Sequence, residues 1–289
     1  MSPEPIDAPT EVEATAAGAG TARAVPDGAA DGAGPAHPSD ADAEGGRRSR
    51  GRRRSRVWLE GGSSVRRWGY DLLGWAILSF GAGVLASSAL RAFVPTSFGA
   101  MSADLVLWLG MIVPVILAFA RSRPRMLLRF RWLDVLYGVV LGGVLRIIQG
   151  WLEVAAGASG AFPSYPTVNG NLVPGWWFTD ALVPVVIGPT VEEFFFRGVL
   201  LVVIYTVVRR AFGRGFAGFI ALVLTTGAFV TAHAISGPMG WDIAVALTLV
   251  GLTAGALVLL TGRIWGAVLV HVVYNGTFVL LALAGTLLA

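Results

Sequence analysis

Residues 177–208 read WFTDALVPVVIGPTVEEFFFRGVLLVVIYTVV. The stretch exceeds the roughly 20 apolar residues that cross a bilayer, yet it carries two adjacent glutamates and an arginine. An ionisable group in an apolar span is costly and marks a functional position by default. Glu193 and Arg197 are four apart with the acid first, so they share a helix face in the favourable order and can pair. Glu192 points about 100° away and is left without that partner, free for chemistry. Upstream, Pro184, Gly188 and Pro189 predict a kink or a break, a half-helix followed by a span.

Outward from this stretch, long apolar runs recur from Leu72 onward. Spans are predicted near 72–94, 102–120, 133–157, 177–208, 215–235, 242–260 and 264–288. Open sheet edges cannot face lipid, so the fold class is all-α: a polytopic transmembrane helical bundle of about seven spans. Composition agrees. The 289 residues are 55% hydrophobic and 14% charged, with mean hydropathy +0.68, whereas soluble domains carry about 25% charge. Cysteine is absent and every one of the 22 basic residues is arginine. Disulfides, cysteine-ligated metals, a cysteine nucleophile, Schiff-base chemistry and a phosphate-loop lysine are all excluded.

The charges that remain are segregated. Residues 1–44 hold nine acids against the single base Arg23 and no aromatic residue. Such a segment buries too little apolar surface to offset its ordering entropy and reads as disordered. Seven arginines follow between Arg47 and Arg56. A basic run can bind nucleic acid, but here it flanks the first span and reads as a cytoplasmic anchor, so no nucleic acid partner is expected. The division is therefore a disordered acidic then Arg-rich tail, 1–56, and a transmembrane domain, 57–289. With seven spans, Arg121, Arg123, Arg125, Arg129 and Arg131, then Arg209, Arg210 and Arg214, then Arg263, all share one side with the N-terminal arginines. The positive-inside rule then predicts a protein integral to the cell membrane with its N-terminus cytoplasmic.

Two further spans carry histidine. Phe229-Val-Thr-Ala-His233 closes span five, and His271-Val-Val-Tyr-Asn275 places His271 and Asn275 on one face of span seven. His37 lies in the tail and is assigned no role. Glu192, His233, His271 and Asn275 make a chemically sensible set. A carboxylate in apolar surroundings can serve as general base and then acid. One histidine helps hold and polarise a water. The other, with the amide, can donate to the oxyanion of a tetrahedral intermediate. That is a water-activating hydrolase with no serine or cysteine nucleophile, and no Gly-x-Ser-x-Gly elbow is present. A metal is the competing use: Glu192, His233 and His271 could ligate zinc with water in the fourth place, although the His-Glu-x-x-His signature is missing. Both uses stay open on residue types alone, and no other cofactor is called for.

Glu192-Glu193-x-x-x-Arg197, Phe229-x-x-x-His233 and His271-x-x-x-Asn275, in this order on separate apolar helices, resemble the CPBP family, the type II CAAX prenyl protease and bacteriocin-processing group also called Abi. Gly251-Leu-Thr-Ala-Gly255 through Thr261-Gly262 also looks like that family's penultimate helix and turn. The likeness covers roughly 177–280. It implies an intramembrane endopeptidase acting in the lipid bilayer on a membrane-associated or lipidated protein or peptide. It matches Glu192 to the catalytic glutamate, His233 to its partner on the water, His271 and Asn275 to the oxyanion pair, and Glu193 and Arg197, with Phe229, to structural support. The family is called metalloprotease by some, while metal-free, glutamate-activated water is also proposed for it.

Two rival functions remain: a catalytically idle member that binds and regulates a partner or confers bacteriocin immunity, and a transporter. Transporters commonly show repeated halves, and no internal repeat is visible here. One geometric conflict stands out. At about 1.5 Å per residue, Glu192 lies about 25 Å from Arg209 and His233 about 28 Å from Arg214, but His271 only about 12 Å from Arg263; tilt, the kink at Pro184 to Pro189 or a Thr261-Gly262-Arg263 turn dipping into the membrane would close the gap. Lesser features have ordinary readings. Arg146, Gln149 and Glu153 line one face of span three and are expected to join helices, or else to line a cavity that meets a substrate carboxylate. Gly138, Gly142 and Gly143 are expected to permit close packing, Trp176 to Phe178 to form an interfacial belt, and 158–175 to be an extracytoplasmic loop.

Overall fold

The computed structural model describes residues 57–288; the tail assigned to 1–56 lies outside them. After two short 3₁₀ turns, Trp58–Glu60 and Ser63–Val65, seven helical rods follow. They are α1 (Tyr70–Phe93), α2 (Ser97–Arg121), α3 (Trp132–Ala155), α4 (residues 177–212), α5 (Arg214–Ser236), α6 (Trp241–Thr261) and α7 (Trp265–Leu288). By length and composition six helices can cross a membrane, because Trp177–Ile235 runs on as 59 residues. Gly213, at φ +78°, divides that run into α4 and α5, which pack side by side. A positive φ is tolerated by glycine alone at little cost, so this residue turns one long apolar stretch into two rods. Between α3 and α4, Thr167–Val168 pairs antiparallel with Asn171–Leu172. The expected loop 158–175 thus contains a small hairpin, turned by Asn169 and Gly170 with φ +53° and +76°, the pair that such tight turns demand.

α4 is the axis of the bundle. Its stretch from Phe195 to Tyr205 is buried throughout, as expected of a helix that is apolar all round. The predicted break at Pro184 to Pro189 does not occur. The chain stays helical and changes pitch instead: Trp177–Ile187 is π-helical, Gly188–Glu193 α-helical, Phe194–Leu200 π-helical and Leu201–Phe212 α-helical. Proline removes an N–H and crowds the preceding turn; the wider π geometry accommodates it, and π segments recur at functional sites. Outward, Leu85, Phe93, Phe98, Trp132 and Ile147 are all more than half exposed. Apolar exposure on this scale needs a nonaqueous neighbour, which the bilayer supplies; the protein is integral to a membrane.

α3 lies against α7 at Gly138 and Gly142. A Cβ at Gly138 would sit 2.6 Å from the Leu269 Cβ, and one at Gly142 2.8 Å from the Val270 carbonyl. Gly143, expected to join them, faces open space. The same device sets α5 on α6, where a Cβ at Gly251 would meet Thr226 at 2.8 Å.

The α6–α7 turn is covered. Gly262, at φ +70°, closes α6 in the left-handed conformation, and its carbonyl accepts from Trp58 Nε1 at 2.9 Å. Ile264 N donates to the Leu127 carbonyl and Trp265 Nε1 to that of Leu128. Arg263, read as a surface marker from the sequence, is buried and forks onto Asp134 through Nε and Nη2, the latter at 2.7 Å. Asp134 in turn accepts from Arg131 N, capping α3. This turn therefore sits inside the protein, beneath residues 57–65 and 122–131. The apparent 12 Å depth of His271 was measured from a residue that is not at the surface, which removes the conflict in heights.

Candidate functional site

Three helices supply the four candidate residues. Glu192 comes from the α-helical turn between the two π segments of α4, His233 from the end of α5, and His271 and Asn275 from α7. Trp108 and Asp104 of α2, with Thr179 and Pro184 of α4, complete a cavity of about 420 Å³. The sequence reading had missed Asp104, although an acid in an apolar run was the available signal; it is held by Arg91 at 2.5 Å.

The two adjacent acids part company as the helix repeat requires. Glu193 is fully buried, and its Oε1 accepts from Arg197 Nη1 at 2.7 Å. Arg197 also lies over the Phe229 ring, 4.4 Å from its centroid. Glu192 faces the cavity, and its Oε2 is buried with no hydrogen-bond partner. That oxygen lies 3.9 Å from His233 Nε2 and 3.9 Å from His271 Nε2. These separations exceed a direct hydrogen bond and fall within the reach of one bridging water.

Both rings are oriented from behind. His233 Nδ1 stands 2.9 Å from the Phe229 carbonyl, one helical turn earlier. A carbonyl only accepts, so Nδ1 carries the proton and the neutral ring presents a bare Nε2 to the cavity. His271 Nδ1 stands 3.1 Å from Glu193 Oε1, with the same consequence. Phe229 thus acts twice, through its carbonyl on His233 and through its ring, 4.5 Å from the His233 ring and 5.6 Å from that of His271. Glu193 likewise has a second contact that the Glu-x-x-x-Arg spacing alone does not reveal, since it depends on a helix 78 residues away.

Asn275 is also partly engaged: its Nδ2 donates to the Pro184 carbonyl at 2.7 Å, leaving one amide proton. With its proton on Nδ1 alone the His271 ring would offer an acceptor to the cavity; as an imidazolium it would donate there. Charge balance around it is simple. Glu192, Glu193 and Arg197 sum to one negative charge when all are ionised, and an imidazolium at His271 would neutralise the group.

Zinc requires a different spacing. Tetrahedral bonds of 2.0–2.2 Å put neighbouring donor atoms about 3.4 Å apart, against the 3.9 Å separations here. Among the described residues no group of three or more His, Asp or Glu is arranged to hold a metal ion. Glu192, His233 and His271 have suitable donor chemistry, and as placed the Glu192 oxygen stands about 0.5 Å farther from each imidazole nitrogen than donors around such an ion would.

A second cavity, about 700 Å³ and lined almost wholly by apolar side chains, runs between α4 and α7 past Val185, Val186, Val272, Val273 and Gly276.

No curated protein and no solved structure matches the chain. A match does exist to a family of membrane proteases, and it spans every residue of the cavity contributed by α4, α5, α6 and α7. Residues 174–277 match the model of the Rce1-like family, the type II CAAX prenyl endopeptidases.

Proposed function

We propose that the protein is an intramembrane endopeptidase of the CAAX prenyl protease type. It hydrolyses a peptide bond of a membrane-associated or lipidated protein or peptide with water activated by Glu192 and His233. The observation that carries this reading is the unpartnered Glu192 Oε2, 3.9 Å from two imidazole Nε2 atoms, at the wall of a 420 Å³ cavity. A water between Glu192 and His233 donates one proton to each acceptor, which aligns its lone pair for attack on the scissile carbonyl. Glu192 takes the proton and passes it to the departing amine. The oxyanion takes the remaining Asn275 N–H and the Nε2–H of a His271 imidazolium held by Glu193. No metal is routed through these steps, in keeping with the donor spacing.

The apolar cavity between α4 and α7 suits a lipid chain attached to the substrate. The turns at 57–65 lie with Arg209 and Arg210, and Ser122 donates to the Ser64 carbonyl, so three arginine-bearing segments share one end. That arrangement favours a cell-membrane protein with this end and the N-terminus in the cytoplasm.

The test compares membrane peptidomes of cells carrying the native protein and Glu192→Gln at equal expression. Proteolysis predicts uncleaved precursors that accumulate only with the variant. Identical peptidomes, with partner binding intact, would replace this reading by that of a regulator without catalysis. Metal analysis of the purified active protein is expected to find less than one equivalent of zinc; stoichiometric zinc lost together with activity would restore the metal reading.

A further inference from the structure

One half-buried cation in the bundle meets no carboxylate directly. Arg91, Arg121, Arg197 and Arg263 each meet a carboxylate directly, on Asp104, Asp71, Glu193 and Asp134. Arg146 forms no ion pair among the described residues. It lies 14 residues into α3, about 21 Å along the helix, well within the hydrocarbon depth. Its nearest acid, Glu153, is one amide removed. Arg146 Nη1 donates to Gln149 Oε1 at 3.0 Å, and Gln149 Nε2 donates to Glu153 at 2.7 Å.

The guanidinium is nevertheless fixed. Nε and Nη2 both donate to the Tyr274 carbonyl, at 3.2 and 2.8 Å. The Tyr274 hydroxyl bonds the same Gln149 oxygen. The guanidinium carbon stands 4.2 Å from the Tyr274 ring centroid and 5.2 Å from that of Phe278. Three of its five N–H groups are used, and two are free. Beside it opens a cavity of about 420 Å³, bounded by Tyr165, Thr179, Pro184, Asn275 and Phe278. Thr179, Pro184 and Asn275 also line the candidate active-site cavity, so the two spaces share one wall, on which the Asn275–Pro184 hydrogen bond lies. Asp180 stands at the exposed mouth, where its carboxylate accepts from the Thr179 hydroxyl at 2.7 Å.

We propose that this cavity receives the free C-terminal carboxylate of the substrate peptide, with Arg146 as its anchor. This inference rests on the proteolytic reading of the adjoining site. An immobilised planar guanidinium with two unused N–H groups matches a carboxylate in a two-pronged contact. A lipid phosphate is the wrong source, because headgroups lie at the membrane surface and Arg146 lies near mid-depth. A chain end, moreover, reaches Arg146 without the polypeptide having to continue into the packed α3–α7 contact. Arg146 then sets how far from the substrate's end the chain is cut.

The experiment uses the full-length protein in phosphatidylcholine vesicles. The probe is the C-terminal segment of a precursor that accumulates with Glu192→Gln, synthesised once as the free acid and once as the C-terminal amide. The native protein is expected to cleave the acid roughly 10- to 100-fold more efficiently in kcat/KM, the range of a charge-assisted contact. In Arg146→Gln the acid should fall to the rate of the amide, so that the ratio approaches one, while Arg146→Lys keeps part of the preference. A merely structural Arg146 would slow acid and amide alike. Equal cleavage of the two by the native protein overturns the anchor and leaves the protease reading intact, as does a preference unchanged in Arg146→Gln or one carried by an internal acidic side chain. Identical peptidomes for native and Glu192→Gln overturn both. The native acid-to-amide comparison needs no variant to fold.

Discussion

Glu192 and Glu193 are neighbours of identical chemistry, and the structure predicts opposite consequences for removing their charges. Glu193→Gln keeps an oxygen for His271 Nδ1 but takes from Arg197 the one carboxylate that meets it directly among the described residues. Arg197 is fully buried, its Nε has no hydrogen-bond partner, and what remains near it is the Gly251 carbonyl at 3.4 Å and the Phe196 and Phe229 rings. Breaking a buried pair by neutralising one member costs about 3–5 kcal/mol. At roughly 2–4 °C per kcal/mol for a chain of this size, Tm should fall by roughly 6–20 °C. Glu192→Gln removes a charge whose Oε2 already lacks a hydrogen bond, so no partner is stranded and Tm should hold or rise by a few degrees. Thermal unfolding in detergent, followed by tryptophan fluorescence, reads both, since Trp58 and Trp68 are fully buried. Equal losses for the two variants, or a Glu193→Gln protein that melts within about 2 °C of native, would refute the division of labour between the two acids.

Two further outcomes follow from packing and from the covered turn. Gly142→Ala drives a Cβ to 2.8 Å from the Val270 carbonyl, beside His271; it should cost about 1–3 kcal/mol and reduce proteolysis, whereas Gly143→Ala, with open space around it, should leave Tm unchanged or slightly higher. Asp134→Asn strands Arg263 beneath the α6–α7 turn and should lower stability by about 3–5 kcal/mol, and adding Arg263→Met to it should recover most of the loss in the same melting assay.

The rods, their approximate ends and the identity of the polar residues were legible along the chain. Hydropathy marks spans because a backbone in lipid must satisfy its own hydrogen bonds, a local requirement. The pairing of Glu193 with Arg197 was legible for the same reason: four residues of one helix fix the face. Pro184 to Pro189, expected to kink or break the helix, instead lie in a helix that changes pitch, because the wider π geometry that accommodates a proline leaves no mark in local propensity. Arg263 was misread as a surface marker because its partner, Asp134, lies 129 residues away.

The sequence by itself determined that this is a helical membrane protein and that its costly polar side chains are Glu192, Glu193, Arg197, His233, His271 and Asn275, since transfer into lipid penalises each residue individually. Only the tertiary structure decided that the Glu192 carboxylate and two imidazole Nε2 atoms converge at 3.9 Å, that Glu193 reaches His271, and that Arg146 reaches Glu153 only through Gln149. Those are distances between helices. They depend on which glycines let the rods approach and on how deeply the α6–α7 turn is tucked, and no periodicity within one helix encodes them.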